Sequence, residues 1–360
     1  MSAFAARQQR LLDVLAERGL GALLVTEPAN VRYLTGYVGS NGIAVIGAGG
    51  RVLVTDSRYA VSAAEQVQGA EVVVGKRDLL GTVATSAIGV AEGRPIGVEA
   101  DDLTVARYER LGEMLSGAAT VTTRGIVEDL RQFKDPDEIA AMREAAAVVD
   151  RALEAVVSGG LVGRTEAEVA FALHGAMLAE GAEGPSFATI VASGPRGARP
   201  HHVPGREVIP ADTLVVIDMG AVVDGYCSDM TRTFATGSLP RRLAEIYSVC
   251  LDAQEAAMAA AAPGMTGAEL DAVARTPIAA AGYGDDFGHG LGHGVGLVIH
   301  ERPGVRPESG DALKAGMAIT IEPGIYLEGE GGVRIEDLLV LGDDGCDVLS
   351  RSPKELRIVA

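Results

Sequence analysis

The chain has 360 residues, of which 48% are hydrophobic, and it carries a formal net charge of −18. This length and hydrophobic content predict two domains, each with a sizeable core. The strong negative charge argues against nucleic acid and anionic membranes as partners.

The first 125 residues alternate helix-like and strand-like runs and contain no cluster of metal-binding side chains. The strand-like runs are short and apolar, and they lie at residues 21–26, 43–46, 52–55 and 71–74. This alternation predicts a small α/β domain over residues 1–125. We interpret the side chains of Tyr33, Tyr37 and Arg58 within it as contributors to domain packing.

A strong helix start marks the second domain, which we place at residues 126–360. Asp135 suits the N-cap, Pro136 suits the first helical position, and Glu138 completes a capping box with Asp135. A long helix is therefore predicted to begin at residue 136.

The second domain contains a faint internal repeat. Residues 163–168 and 264–269 are both capping-box motifs, and each opens a predicted helix that ends near a glycine, Gly181 or Gly282. An alanine-rich helix precedes each motif, and a strand-rich segment follows it. A duplicated α/β half would produce this pattern and would bring residues of both halves into one cleft, although two unrelated capping boxes would look the same.

Two aspartates lie on a predicted hairpin in the first strand-rich segment. The apolar run at residues 214–217 ends in Asp218, and the dipeptide Asp224-Gly225 is a turn signal. Asp229 then opens the returning strand. The two aspartates are therefore predicted to face each other across paired strands.

A second pair of strands is predicted at residues 318–322 and 333–340, and these strands carry Glu322 and Glu336. Side chains alternate between the two faces of a strand, so Arg334 and Glu336 share one face. The acidic side chains of this pair can therefore point in one direction.

A glycine-rich segment, residues 288–303, lies between the strand pairs and holds His289, His293 and His300. Its alternating glycines suit a loop that packs closely against a site, whereas a dinucleotide-binding loop is a poor match because no apolar strand leads into it. Four carboxylates within reach of one another would repel unless cations lay between them. The acids and histidines together predict a site for two divalent metal ions.

In their order along the chain, these segments resemble the pita-bread metallopeptidase family, on the branch that contains aminopeptidase P and prolidase. The matching blocks lie at residues 193–201, 217–220, 225–233, 289–303, 321–324 and 332–337. Residues 30–42 and 55–59 resemble the creatinase-type N-terminal domain of this branch, which in relatives helps dimerisation and narrows access to the site. The resemblance implies an α/β (α+β) fold with a pita-bread catalytic domain, and a homodimer.

The resemblance implies five ligands for two divalent metal ions. It assigns Asp218 to one metal alone, Asp229 and Glu336 to a bridge between both metals, and His293 and Glu322 to the other metal. Hard oxygen ligands with a single imidazole favour manganese, with cobalt or zinc as possible substitutes. A water molecule shared by two such cations would lose a proton near neutral pH and become the nucleophile.

The resemblance also implies catalytic and substrate-binding side chains around the metals. His201, His300 and Glu322 are implied in catalysis, with Glu322 as a proton acceptor and His300 as a hydrogen-bond or proton donor. His201, His289, His300 and Arg334 are implied in substrate binding, although an ion pair with a ligand carboxylate is an equally good interpretation of Arg334. Three further residues receive other interpretations: His174 is structural, His202 is ambiguous beside His201, and Cys227 is a packed strand residue.

These expectations together predict a dinuclear-metal Xaa-Pro aminopeptidase, which removes the N-terminal residue from peptides with proline in the second position. Xaa-Pro dipeptidase, or prolidase, is the near alternative, because the motifs do not separate the two activities. A metal-free creatinase-like enzyme or binding module is a more distant alternative, against which the intact ligand set counts.

The sequence also predicts where the protein works. No apolar run approaches the length of a membrane span, and the first residues lack the apolar core of a signal peptide. The three cysteines, Cys227, Cys250 and Cys346, form no pair-spaced motif and fit a reducing compartment. We therefore expect a cytoplasmic protein without a membrane partner.

Overall fold

The computed structural model describes residues 2–115, 117–343 and 345–360 of the chain. It divides into two compact units, of which the first ends at Arg131 and the second runs from Gln132 to Ala360. They are named here the N unit and the C unit. The domain boundary predicted after residue 125 lies one short helix before this division.

The N unit is built on a six-stranded mixed sheet. Its helices are α1 (Ala3–Glu17), α2 (Pro28–Thr35), α3 (Ala60–Gln66), α4 (Leu80–Ala91), α5 (Val105–Met114) and α6 (Ile126–Arg131). Its strands are β1 (Ala22–Val25), β2 (Gly42–Gly47), β3 (Gly50–Asp56), β4 (Glu71–Gly75), β5 (Ile96–Glu99) and β6 (Thr120–Thr123), in the order β4-β3-β2-β1-β5-β6. The four strands predicted from the sequence are confirmed as β1 to β4, and β5 and β6 extend the sheet.

Apolar strand residues build the core of the N unit. Every residue of the central strand β1 is buried, because the strand has neighbours on both sides. Tyr33 and Tyr37 are also buried, which confirms their interpretation as packing residues. Arg58 is half-exposed instead, and its guanidinium donates two hydrogen bonds to the buried carboxylate of Asp56.

The C unit combines four long helices with several small sheets. Its helices are α7 (Pro136–Val157), α8 (Glu166–Ala179), α9 (Arg241–Ala260) and α10 (Gly267–Ala280). Its strands are β7 (Gly184–Pro185), β8 (Ile190–Ser193), β9 (Leu214–Met219), β10 (Ala221–Val223), β11 (Tyr226–Cys227), β12 (Met230–Ala235), β13 (Gly292–Gly294), β14 (Glu301–Val305), β15 (Ala318–Ile321), β16 (Gly324–Leu327), β17 (Gly331–Arg334), β18 (Asp337–Gly342) and β19 (Gly345–Val348). The two main sheets have the orders β12-β9-β8 and β14-β13-β15-β18-β19.

The predicted capping box starts α7. The Asp135 carboxylate accepts a hydrogen bond from the backbone N–H of Glu138, and the Glu138 carboxylate accepts one from the backbone N–H of Asp135. Pro136 takes the first helical position, as predicted. Within the described ranges, no helix combines the length and the apolar character needed to cross a membrane.

The internal repeat is visible in backbone contacts. Thr165 and Thr266 cap α8 and α10 with the same capping box. Each capping threonine forms an isolated antiparallel bridge to a later segment, at Val208 and Ala312 respectively. Matching backbone hydrogen bonds flank both bridges: Gly163 N–H to Ile209, Gly264 N–H to Leu313, Glu166 N–H to Glu207 and Gly267 N–H to Asp311. The two halves of the C unit are therefore built alike.

The predicted hairpin forms from β9 and β12, which pair antiparallel. At the tip between β10 and β11, Asp224 and Gly225 both have positive φ, at 47° and 75°, as a tight two-residue hairpin turn requires. Asp218 pairs with Thr231 and not with Asp229. The prediction that the two aspartates face each other directly across the paired strands is therefore wrong in register. Asp229 lies just before β12 begins.

The single strand predicted over residues 333–340 is interrupted. β17 ends at Arg334 and pairs with β16, whereas β18 begins at Asp337 and pairs with β15. The intervening backbone bonds elsewhere: the N–H of Ile335 lies 3.4 Å from the carbonyl oxygen of Pro323, and the N–H of Glu336 donates to Thr231. This break places Glu336 beside the strand that follows Asp229.

Candidate metal centre

Three predicted ligands converge in the C unit. One ligand atom from each of Asp229, His293 and Glu336 lies within 4.8 Å of the others. Both carboxylates are buried. The Nδ1 of His293 lies 2.9 Å from the carbonyl oxygen of Gly294, a contact that needs a proton on Nδ1. Burial lowers the pKa of His293 to about 4, so Nε2 keeps its lone pair free for a metal.

Glu322 joins this group from the end of β15. Its Oε1 lies 3.4 Å from His293 Nε2 and accepts a hydrogen bond from the hydroxyl of Thr320. The backbone N–H of Glu322 donates to the carbonyl of Leu291, which ties this residue to the histidine-bearing loop. Burial raises the pKa of Glu322 to about 8.

Asp218 faces the site from the end of β9. Its Oδ2 accepts a hydrogen bond of 2.7 Å from Arg334 Nη2. Its Oδ1 is buried and has no hydrogen-bond partner among the described residues. Because a buried carboxylate oxygen without a partner is costly, this atom is suited to a bound cation.

The carboxylates of the site repel one another. Burial and the charges of Glu336, Asp218 and Glu322 raise the pKa of Asp229 well above its ordinary value. Burial, followed by Glu322 and Asp218, raises the pKa of Glu336 in the same way. Divalent cations would remove this repulsion, and carboxylates with one imidazole are ligands that such cations accept. The residues present therefore fit a pair of divalent metal ions.

Arg334 is held in place by three side chains. Besides the bond to Asp218, its Nε donates to Thr231 Oγ1 at 3.0 Å, and its Nη1 donates to the hydroxyl of Tyr326 at 2.9 Å. Arg334 is 4% exposed. The ion pair predicted as an alternative role for Arg334 is therefore formed, with the carboxylate of Asp218 as its partner.

Tyr326, on β16, is a site residue that the sequence analysis missed. The Nδ1 of His289 is 2.8 Å from the carbonyl oxygen of Gly290, so that nitrogen carries the proton and Nε2 accepts from the Tyr326 hydroxyl, also at 2.8 Å. Tyr326 in turn accepts from Arg334. Burial lowers the pKa of His289 to about 4, which keeps the ring neutral. Arg334, Tyr326 and His289 thus form one directed chain of hydrogen bonds.

The remaining predicted histidines lie at the edge of the site. His300 is exposed, and its ring packs edge-on against His293 with 4.5 Å between centroids. His201 is exposed, and the carbonyl oxygen of the preceding residue, Pro200, lies 3.5 Å from Arg334 Nη1. His202 points elsewhere, since its Nε2 lies 2.8 Å from the buried carboxylate of Glu166. His202 is therefore directed away from the metal centre, whereas the role expected of His201 stays a prediction.

The other two interpretations concern residues outside the cluster. Cys227 is 5% exposed and packs in a core with Leu338 and Val295, which confirms it as a packed strand residue. His174 lies part-way along α8 and is partly exposed. Neither side chain belongs to the group of ligand atoms around Asp229.

Two family models match the chain. Residues 140–343 match metallopeptidase family M24, and residues 7–133 match the creatinase/prolidase N-terminal domain. The two matches follow the predicted order of domains. The candidate metal centre lies inside the match to metallopeptidase family M24.

Similar proteins align over nearly the whole chain. A Xaa-Pro dipeptidase of Pyrococcus furiosus is 37% identical over 97% of this chain and 99% of its own length. The structure of a Xaa-Pro dipeptidase from Bacillus anthracis superimposes with a TM-score of 0.95 at 40% identity and covers 99% of both chains. An X-Pro aminopeptidase from Thermotoga maritima superimposes with a TM-score of 0.90 at 35% identity, covering 98% of this chain and 100% of its own. These matches confirm the expected fold, a creatinase-type domain followed by a pita-bread domain.

Proposed function

The chain belongs to metallopeptidase family M24 and carries a creatinase/prolidase N-terminal domain, and we propose on this premise that it is a Xaa-Pro dipeptidase. The reaction is hydrolysis of the peptide bond between the first residue and proline in a dipeptide. One observation carries the proposal: a buried nest of carboxylates with one imidazole lies in a chain whose full-length relatives include Xaa-Pro dipeptidases. Xaa-Pro dipeptidase is the alternative expected from the sequence, and these relatives support it better than the aminopeptidase.

We assign the two metal ions of the family's dinuclear site to Asp218, Asp229, His293, Glu322 and Glu336. Manganese is the expected ion, because the donors are mostly hard oxygen atoms, and cobalt or zinc can substitute. When bound, two such cations lower the pKa of a coordinated water molecule and polarise the substrate carbonyl. The free Oδ1 of Asp218 and the free Nε2 of His293 support this assignment.

The surrounding side chains handle protons and orientation in this proposal. Glu322 accepts the proton of the attacking water, a role supported by its place beside the proposed ligand His293, with 3.4 Å between Oε1 and Nε2. His300 donates a hydrogen bond to the tetrahedral intermediate and supplies the proton that the proline nitrogen needs on departure. Its exposed ring beside His293 supports both roles.

His201, His289 and Arg334 bind and orient the substrate in this proposal. His201 contacts the proline ring from the exposed edge of the site. Both ring nitrogens of His289 are engaged, by the Gly290 carbonyl and the Tyr326 hydroxyl, so the neutral ring offers the substrate a face in a fixed orientation. Arg334 donates to Asp218 through Nη2 and to Thr231 through Nε, so it holds Asp218 in a fixed orientation. This supports a positioning role for Arg334 besides substrate contact.

Xaa-Pro aminopeptidase, which acts on longer peptides, is the second candidate. It is favoured by the similarity to the X-Pro aminopeptidase from Thermotoga maritima, which extends over 98% of this chain. Both activities hydrolyse the peptide bond between the first residue and proline, and both would use the same pair of metal ions. The difference between them is whether the site accepts a residue after proline.

The test compares three peptides under controlled metal content. Chelator-treated enzyme is assayed with and without added Mn²⁺ on a Xaa-Pro dipeptide, a Xaa-Pro-Yaa tripeptide and a Xaa-Ala dipeptide. Metal-dependent cleavage of the Xaa-Pro dipeptide alone is the expected result. Cleavage of the tripeptide would identify an aminopeptidase, and no cleavage of either proline peptide with metal bound would contradict both candidates.

A pair of matched variants checks the assignment of ligands. Asp229→Ala removes a proposed bridging ligand and is expected to abolish metal-dependent turnover. Asp252→Ala removes an exposed aspartate on α9 and is expected to leave turnover unchanged. Retained activity in the Asp229 variant would rule out the proposed metal site.

A further inference from the structure

Glu166 fastens the loop that carries His201. Its carboxylate is completely buried at the start of α8. One oxygen accepts hydrogen bonds from the backbone N–H and hydroxyl of Ser193 and from Arg196 Nε, at 2.8 to 2.9 Å. The other oxygen lies 2.8 Å from His202 Nε2. Both oxygens of the carboxylate are thus engaged, and its partners lie at the two ends of one short segment.

The charge state of Glu166 agrees with this geometry. Burial acts to raise its pKa, but the hydrogen bonds from Arg196, His202 and Ser193 more than offset burial and hold the pKa below its ordinary value. The position in the first turn of a helix also favours a negative charge. An ionised carboxylate accepts hydrogen bonds only, so His202 Nε2 must donate.

The same segment is fixed on its other side by β17. A Cβ atom placed on Gly332 would overlap the carbonyl oxygen of Gly197, so the two backbones pack without room for a side chain. Arg334 lies at the end of β17, and its Nη1 is 3.5 Å from the carbonyl oxygen of Pro200. His201 is the next residue. It therefore projects from a turn that is held between α8 and β17.

The second half of the C unit contains a comparable arrangement. Asp271 on α10 is buried. Its carboxylate accepts two hydrogen bonds from Arg275 and one from the backbone N–H of Leu291. Arg275 donates onward to the carbonyl oxygens of Phe287 and His289. A carboxylate and an arginine thus fasten the loop that carries His289. Asp271 does not occupy the position equivalent to Glu166, which is Gly267, so the recurrence reflects the placement of the loops.

We propose that Glu166 and His202 act as a clamp that positions His201 at the metal centre, and that His202 contributes to turnover only through its neighbour. Ser193 and Arg196 support this clamp, because both donate hydrogen bonds to the same carboxylate. This inference rests on the proposed peptidase function. It assigns the two adjacent histidines different roles: His201 contacts the substrate, and His202 holds the backbone from which His201 projects.

A double-mutant cycle tests the clamp. His202→Ala in the wild-type background is expected to lower kcat/KM for the Xaa-Pro dipeptide about tenfold, because a small displacement of a site residue is costly. In a His201→Ala background the same change is expected to have no further effect, since the residue that the clamp positions is already absent. An equal loss in both backgrounds would overturn the inference, because a general structural role is additive.

Conservative and control variants complete the test. His202→Gln keeps a side-chain N–H for Glu166 and is expected to stay within about twofold of the wild type. His174→Ala changes another histidine of the C unit, on α8, and is expected to leave kcat/KM unchanged. A His202→Gln variant as impaired as His202→Ala would contradict the proposed hydrogen bond.

A thermal-unfolding measurement and a replacement variant separate an effect on folding from an effect on function. Thermal unfolding is recorded for each variant, and if His202→Ala does not fold, Arg196→Gln replaces it in the cycle, because this residue is partly exposed and leaves His202 in place. Wild-type enzyme that cleaves no proline peptide would contradict the proposed function. Active wild-type enzyme with additive losses in the cycle would contradict the clamp alone.

Discussion

Tyr326 links two side chains of the metal centre, since it accepts from Arg334 and donates to His289. Burial raises its pKa, so the hydroxyl stays protonated. Tyr326→Phe removes this link without a large change in volume. We expect kcat/KM for a Xaa-Pro dipeptide to fall by about tenfold or more, because Arg334 loses one buried acceptor at a cost of about 1–3 kcal/mol.

The metal content of the Tyr326→Phe variant is measured alongside its kinetics. The described hydrogen bonds of the tyrosine are to His289 and Arg334 and to none of the proposed ligands, so full metal occupancy with reduced turnover is the expected combination. Tyr108→Phe, on α5 of the N unit, is the matched control. Wild-type turnover in the Tyr326 variant would show that the chain of hydrogen bonds has no part in catalysis.

The residue types of the site could be predicted from the sequence, but several of their partners could not. Asp218 and Glu322 stand at the ends of apolar runs and Asp229 opens a predicted strand, so local pattern and family resemblance single them out. Tyr326 and Glu166 each lie far along the chain from the histidine they contact. Such contacts depend on how strands and helices pack, which a local pattern does not contain.

Glu99 in the N unit makes stability depend on pH. Its carboxylate accepts hydrogen bonds from the backbone of Thr26 and Glu27 and from Asn30, yet burial raises its pKa from 4.5 to about 7. A raised pKa means that the folded state binds the proton more tightly than the unfolded state. Stability is therefore lost as pH rises from 4.5 to about 7, by about 3 kcal/mol at most.

Urea unfolding of the wild type and of Glu99→Gln checks this dependence. The free energy of unfolding of the N unit is followed by hydrogen exchange in β1 and β5, at about pH 5 and about pH 8. The variant cannot ionise at this position, so it is expected to lose less stability over this range. Equal slopes in the two proteins would refute the assignment to Glu99.

At the scale of elements, the turn chemistry of one hairpin was predictable and the break in one strand was not. Asp224-Gly225 adopts the positive φ values that this dipeptide favours, so the hairpin between β10 and β11 follows from local preferences. Residues 335 and 336 leave their strand because their N–H groups face Pro323 and Thr231. The alternating pattern over residues 333–340 gives no sign of these distant acceptors.

The contact between β17 and the His201-bearing turn predicts a sensitive position. Gly332→Ala would place a Cβ against the carbonyl oxygen of Gly197, so the turn or the strand must move. We expect kcat/KM to fall about tenfold or more while the protein remains folded, since a site residue displaced by about 1 Å loses much of its effect. Steady-state kinetics and thermal unfolding measure the two effects separately.

Gly310→Ala is the matched control for this change. A Cβ on Gly310 meets no atom within 4 Å, and the residue has no positive φ in the left-handed region. This variant is expected to keep wild-type kinetics and stability. If Gly332→Ala behaved in the same way, the turn would have to be more adaptable than its backbone packing indicates.

At the scale of the whole molecule, the duplicated halves of the C unit explain how one metal centre collects distant residues. Each half provides a capped helix and a set of strands, and each contains proposed ligands: Asp218 and Asp229 in the first half, and His293, Glu322 and Glu336 in the second. The repeat was recognisable in the sequence through two capping boxes, because capping residues have strict local requirements. The strand register that brings the ligands together has no comparable local signature.

The location of the proposed ligands predicts that metal removal affects the N unit and the C unit differently. All five proposed ligands lie in the C unit, and their carboxylates repel one another when no cation is bound. Bound metal at 100 times its dissociation constant stabilises a folded unit by about 2.7 kcal/mol. Chelation should therefore accelerate hydrogen exchange in β9, β12, β15 and β18 of the C unit, whereas β1 to β5 of the N unit should exchange at unchanged rates. Equal acceleration in both units would mean that the metal stabilises the molecule as a single cooperative body, and unchanged exchange in the C unit would contradict a structural contribution of the metal centre.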